Sequence, residues 1–116
     1  MATRRANSGR KTKAAEIERF KQMAEQATVD AYGESEQVTG WHCMLAQHLA
    51  VPFETTVLRA TVIVERIDLR LDDHIVAICK QGRRRQAIEI RELPLPSPRP
   101  AGAEWIEAYR HWRRGW

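Results

Sequence analysis

TTVLRATVIVERIDLRLDDHIVAICKQGRRRQAIEI, residues 55–90, decides the fold. Two β-branched runs open it, Thr56-Val57-Leu58 and Thr61-Val62-Ile63-Val64, the composition of a pleated, half-buried surface. Arg59-Ala60 between them carries no turn signal, which leaves one long bent strand or two short ones open. Leu69 to Asp73 read as a polar loop. Ile75 to Cys79 are apolar at nearly every position, the pattern of a strand covered on both faces and therefore central. Gln81-Gly82-Arg83 is a turn, and Gln86 to Ile90 follow with Ile88 and Ile90 on one side and Glu89 on the other. Ile75–Lys80 and Gln86–Ile90 thus read as a hairpin.

On the N-terminal side the period becomes helical. Ile17, Phe20, Ala24, Ala27 and Ala31 recur on one face, with Thr12 in capping position, so a helix is predicted over 12–30. Gly33 breaks it and Ser35 is placed to cap a second helix, whose apolar face is Val38, Trp41, Leu45 and Leu49 and which ends before Pro52. Gly40 interrupts that helix at a cost of ~1 kcal/mol relative to alanine, a cost that makes sense where another element comes close. On the C-terminal side, proline at every second position of LPLPSPRP (93–100) makes a stiff connector. Trp105, Tyr109, Trp112 and Trp116 then repeat at 4, 3 and 4 residues, one face of a helix that must dock, and the barrel or sheet is its expected platform. The expected fold is α+β: two N-terminal helices, a small antiparallel β-barrel or curled sheet over residues 55–91, and an aromatic C-terminal helix across it.

A chain of 116 residues holds one core, assigned here to residues 13–116. Residues 1–13 contain Arg4, Arg5, Arg10, Lys11 and Lys13 and no acid; without those five, the 19 basic residues fall to 14 against 15 acidic ones. The net charge of +4 is therefore mostly a tail property, and residues 1–12 read as a disordered basic tail. No apolar run of ~18 residues is present for a membrane span, and the N-terminus is not that of a secretory signal. Two cysteines, Cys43 and Cys79, suit a reducing cytoplasm better than a disulfide framework.

Catalysis has no signature here: no G-x-S-x-G and no glycine-rich phosphate loop, so the chain is read as a non-enzyme. Zinc is disfavoured because His42 and His48 are six residues apart and no C-x-x-C pair exists. Calcium prefers carboxylate oxygens, and these cluster twice: Asp30, Glu34 and Glu36 at the helix junction, and Asp68, Asp72 and Asp73 in the strand loop. No lysine or arginine lies between Lys21 and Arg59, so the first cluster has no cation nearby in sequence, whereas Arg66 and Arg70 dilute the second. Neither fits an EF-hand loop. The alternative is a nucleic-acid or acidic-protein binding module using the basic tail and Arg83-Arg84-Arg85, with Arg110, Arg113 and Arg114 as further contacts.

The run VDAYGESEQVTGW (Val29 to Trp41), followed by Leu45, Leu49 and Pro52-Phe53, resembles the small calcium-binding proteins of the CcbP type. In that family a V-D-A-Y, E-x-E-Q, G-W segment precedes a P-F pair and strands follow. AEWIEAYRHWRRGW (103–116) is similar to the family's closing helix. The resemblance covers residues 29–54 and 75–116. It implies a small β-barrel flanked by helices and calcium held without an EF-hand at surface acids. Carried onto this chain, it makes Asp30, Glu34 and Glu36 the ligands, with Gln37 as a further amide oxygen. The expected role is a small cytosolic calcium-binding protein, a buffer or sensor, with a protein partner left open.

Overall fold

A computed structural model describes the backbone of residues 2–116 and the side chains from Lys13 onward. Its elements run α1 (Ala2–Ala27), α2 (Glu34–His48), β1 (Phe53–Val57), β2 (Ala60–Leu69), β3 (Ile75–Gln81), β4 (Arg84–Glu89) and α3 (Ala103–Arg114). α1 starts within the stretch expected as a disordered basic tail, residues 1–12, whose side chains lie outside the described ones.

The α+β class holds, but the barrel does not. The four strands form an antiparallel meander in the order β1-β2-β3-β4, with β1 and β4 as separate edges. Closure requires the edge strands to pair at a consistent tilt and stagger. Here the inner face is covered instead by a helical layer: Val64, Ile67, Ile75, Ala77 and Ile90 share one core with Phe20, Val38, Trp41, Leu45 and Tyr109. The helices supply the burial that a barrel interior would have given, so nothing draws the edges together. A register shift between Val64 and Arg66 leaves Glu65 as a bulge in β2.

The central position of β3 is as expected, and its five residues Ile75 to Cys79 are all buried. Val76 and Ile78 point away from the helices. Their cross-strand neighbours are Asp68, Arg66, Glu89 and Ala87, and the charged ones are ion-paired, Arg66 with Asp68 and Glu89 with Arg91. The open question between Thr55 and Val64 resolves into two strands joined at Leu58-Arg59.

α1 ends three residues before the predicted stop, because Asp30 adopts a left-handed conformation (φ 61°) that aspartate tolerates better than most residues. α2 buries Val38, Trp41 and Leu45 as predicted, with Leu49 just beyond its end. Gly40 is the point of closest approach between helices: a Cβ there would lie 1.8 Å from the Ala27 carbonyl oxygen. α3 docks chiefly on α1, with α2 beside it, rather than on a barrel. Trp105 and Tyr109 meet Trp41 edge-on at ring separations of 6.1 and 5.6 Å. The proline-rich connector crosses β1, where the buried Thr55 hydroxyl donates to the Pro94 carbonyl at 2.6 Å.

Candidate functional site

Two acidic segments distant in sequence meet at one end of the molecule. The first is the start of α2. Its N-cap is Gly33 rather than Ser35, and no side chain caps it. Glu34 and Glu36 occupy the first turn, where the exposed amide dipoles favour negative charge. The Glu36 carboxylate reaches back to accept the Tyr32 amide at 3.0 Å, which stabilises the bend after α1. Freed from capping, the Ser35 hydroxyl donates to Asp73 Oδ1 at 2.9 Å across 38 residues of sequence.

The second segment is the β2–β3 loop. Asp73 takes a left-handed conformation (φ 62°) inside a turn closed by Arg70 and His74, whose backbones pair at 2.8 Å. Asp72 accepts the His74 amide at 3.4 Å. Asp68 turns away and is gripped by the Arg66 guanidinium at 3.1 and 3.2 Å. Of the residues expected as ligands, Glu34 and Glu36 therefore flank in sequence the serine that bonds Asp73, Asp30 lies exposed in the preceding turn, and Gln37 is half-buried in the first turn of α2. Among the described residues, no three or more His, Cys, Asp or Glu side chains stand together in a metal-holding arrangement.

The stretch without basic residues is not free of cations in space. Arg113, near the end of α3, places Nη1 3.5 Å from Glu34 Oε1. The pair is uneven: the arginine side chain is 15% exposed and the glutamate 77%. Arg113 Nη1 is buried without a hydrogen-bond partner, as are Trp41 Nε1 and Tyr109 Oη. Burial, above all, pushes the Tyr109 phenol up. Sequence distance hid Arg113. Its spacing of four from Tyr109 on a docked aromatic face was the available signal, since any residue on that face must end near α2.

Arg110, another of the three α3 arginines named in the nucleic-acid alternative, serves the fold. It donates to the Ile90 and Leu93 carbonyls, and burial lowers its pKa. His42 Nε2 lies 3.1 Å from the Ile67 carbonyl, a structural contact.

A separate charged group sits on the outer sheet face. Burial alone would raise the Glu89 pKa, but hydrogen bonds from Arg91 and from His74 (2.8 Å) outweigh it and hold it at about 2. A carboxylate depressed in the folded state stabilises the protein above its unfolded pKa and loses that contribution as pH falls from about 4.5 to about 2. Urea unfolding over that range should show the native chain losing on the order of 2 kcal/mol more than Glu89→Gln, with parallel curves refuting the assignment.

No curated protein and no solved structure matches the chain. The family model described as calcium binding, of the CcbP type, matches residues 21–113. That span holds both acidic segments, the whole sheet, the last two turns of α1 and nearly all of α3. Matched over most of its length, the chain belongs to the CcbP-type calcium-binding family, and calcium is the ion that membership assigns to it.

Proposed function

We propose that calcium is held, without an EF-hand, at the end of the molecule where the start of α2 meets the β2–β3 loop. Asp30, Glu34, Glu36 and Gln37 are the donors named by the resemblance, and Asp73 joins them. The carrying observation is the Ser35–Asp73 hydrogen bond, which ties the two acidic segments together. The donor set fits calcium in kind, being all oxygen and largely exposed, as a hard cation with flexible coordination requires. In spacing it is an incomplete cage, so side chains must move to complete it and the affinity is low, roughly 10⁻⁴ to 10⁻³ M. Magnesium, which demands a tight octahedron, is disfavoured by the same looseness.

The protein acts as a buffer or sensor in a cytosolic setting, a reading supported by the unpaired thiols of Cys43 and Cys79. Arg113 favours the sensor. It and calcium compete for Glu34, so binding is felt at the end of α3. Calorimetric and amide-NMR titration is the test. Calcium is expected to release or take up heat at millimolar concentration, with shifts over Asp30–Gln37, Asp72–His74 and Arg113, and magnesium to do less. A calcium titration without heat, or shifts confined elsewhere, refutes the site.

A further inference from the structure

The meander brings both of its hairpin turns to the end opposite the acidic one. Leu58-Arg59 links β1 to β2, and Gly82-Arg83 links β3 to β4. Both residues of the first turn are left-handed, Leu58 at φ 49° and Arg59 at φ 68°. Two-residue turns of this kind normally use Asn-Gly or Asp-Gly, and the conformation costs a bulky residue on the order of 1 kcal/mol or more. Leu58 holds it while 95% exposed, so no burial within the chain compensates.

Beside this turn the inner sheet face is only partly covered, with Val57 and Ile88 half-buried and Val62 and Cys79 buried. Val57, Val62, Cys79 and Ile88 floor a cleft of about 390 Å³, with Leu58 as a wall and Arg84 on the rim. Arg59, Arg83 and Arg84 make no ion pair among the described residues, and Arg85 takes the nearby acid, Glu65, at 2.7 Å. The lining has no aromatic ring on which a nucleic-acid base would stack. An apolar cleft with Arg84 free on its rim and with Arg59 and Arg83 in the adjoining turns fits an acidic protein surface that carries an exposed apolar side chain.

The chain itself presents such a surface at its other end. Leu71 is fully exposed next to Asp72 and Asp73, and Tyr32 is 90% exposed between Asp30 and Glu34. We propose that the acidic end of one copy docks on the arginine-rimmed cleft of a second copy, with Leu71 entering beside Leu58. Because the two surfaces differ, the contact is head-to-tail and adds copies in a row rather than closing a symmetric pair.

Sedimentation velocity of the full chain, with EDTA present so that the outcome is independent of the calcium reading, tests this. The native chain should associate beyond the dimer, with a dissociation constant on the order of 100 μM, the scale of a small transient contact. Raising the salt from about 0.05 to about 0.5 M should weaken it several-fold, because the facing charges are screened. Leu58→Gly with Arg84→Glu removes the cleft function and relieves the turn; Leu71→Ser with Asp72→Asn removes the acidic anchor. Unchanged or raised melting temperatures show that both variants fold. Each should be monomeric alone, and their equimolar mixture should give a one-to-one dimer, since one intact surface of each kind remains. A monomeric native chain at about 1 mM, a closed symmetric dimer, or variants that associate as the native chain does would overturn the proposal.

Discussion

Gly40→Ala is expected to destabilise the protein by about 3 kcal/mol, against the direction that helix propensity gives. In an exposed helix the substitution gains ~1 kcal/mol, because alanine loses less backbone freedom on folding. At this position the new Cβ would sit 1.8 Å from the Ala27 oxygen and 3.0 Å from its carbon, both backbone atoms. No rotamer change relieves a backbone contact, so α2 must move off α1, and overpacking of this kind costs 1–3 kcal/mol or more. The shift spreads, because Trp41, the next residue, is fully buried among Trp105, Tyr109 and Trp112. In a domain of this size the loss lowers the melting temperature by roughly 10 °C or more. Gly33→Ala is the control: nothing lies within 4 Å of its added Cβ, and its φ of −126° suits any residue. It should be neutral or mildly stabilising. Urea unfolding of both variants checks the pair, and equal midpoints would refute the close-approach account.

Gly40 was legible in the sequence because a glycine inside an apolar helical pattern needs a reason. The β3–β4 hairpin was legible for a similar cause: Gly82 supplies the positive φ (60°) that its turn requires. The β1–β2 turn was not, since leucine and arginine occupy positions where glycine or asparagine normally signals the conformation. The strand pattern could not separate a barrel from an open sheet either. Inner-face residues such as Val62, Val64 and Ala77 alternate identically in both, and what covers them is decided by how α1 and α2 pack. The acids of the candidate site were visible as two clusters. Their convergence was not, because it depends on Ser35 bonding to Asp73 instead of capping α2. Arg113 was hidden for the same reason: charge windows along the chain do not see a guanidinium delivered by a helix eighty residues away.

That guanidinium gives the site a test with two opposite signs. Replacing Glu34, Glu36 and Asp73 together by Gln, Gln and Asn keeps an amide oxygen for the Tyr32 amide and for the Ser35 hydroxyl, so the bend and the loop contact survive. The negative charge that attracts a divalent ion is removed. At calcium ten times the dissociation constant, a ligand that binds only the folded state stabilises it by about 1.4 kcal/mol. The native chain should show that gain in thermal unfolding, and the triple variant none. Arg113→Gln should act the other way. With Nη1 no longer 3.5 Å from Glu34 Oε1, the carboxylate is released and a local positive charge disappears. Glu34 is mostly solvated, so the gain is that of a screened pair, about 1 kcal/mol or roughly fivefold tighter calcium binding. A mere change in overall stability would move both variants without regard to calcium. Only a site that includes Glu34 loses the calcium response in one variant and strengthens it in the other. If Arg113→Gln leaves the calcium affinity unchanged, Glu34 is not a ligand; if the triple variant still binds, the ion sits elsewhere.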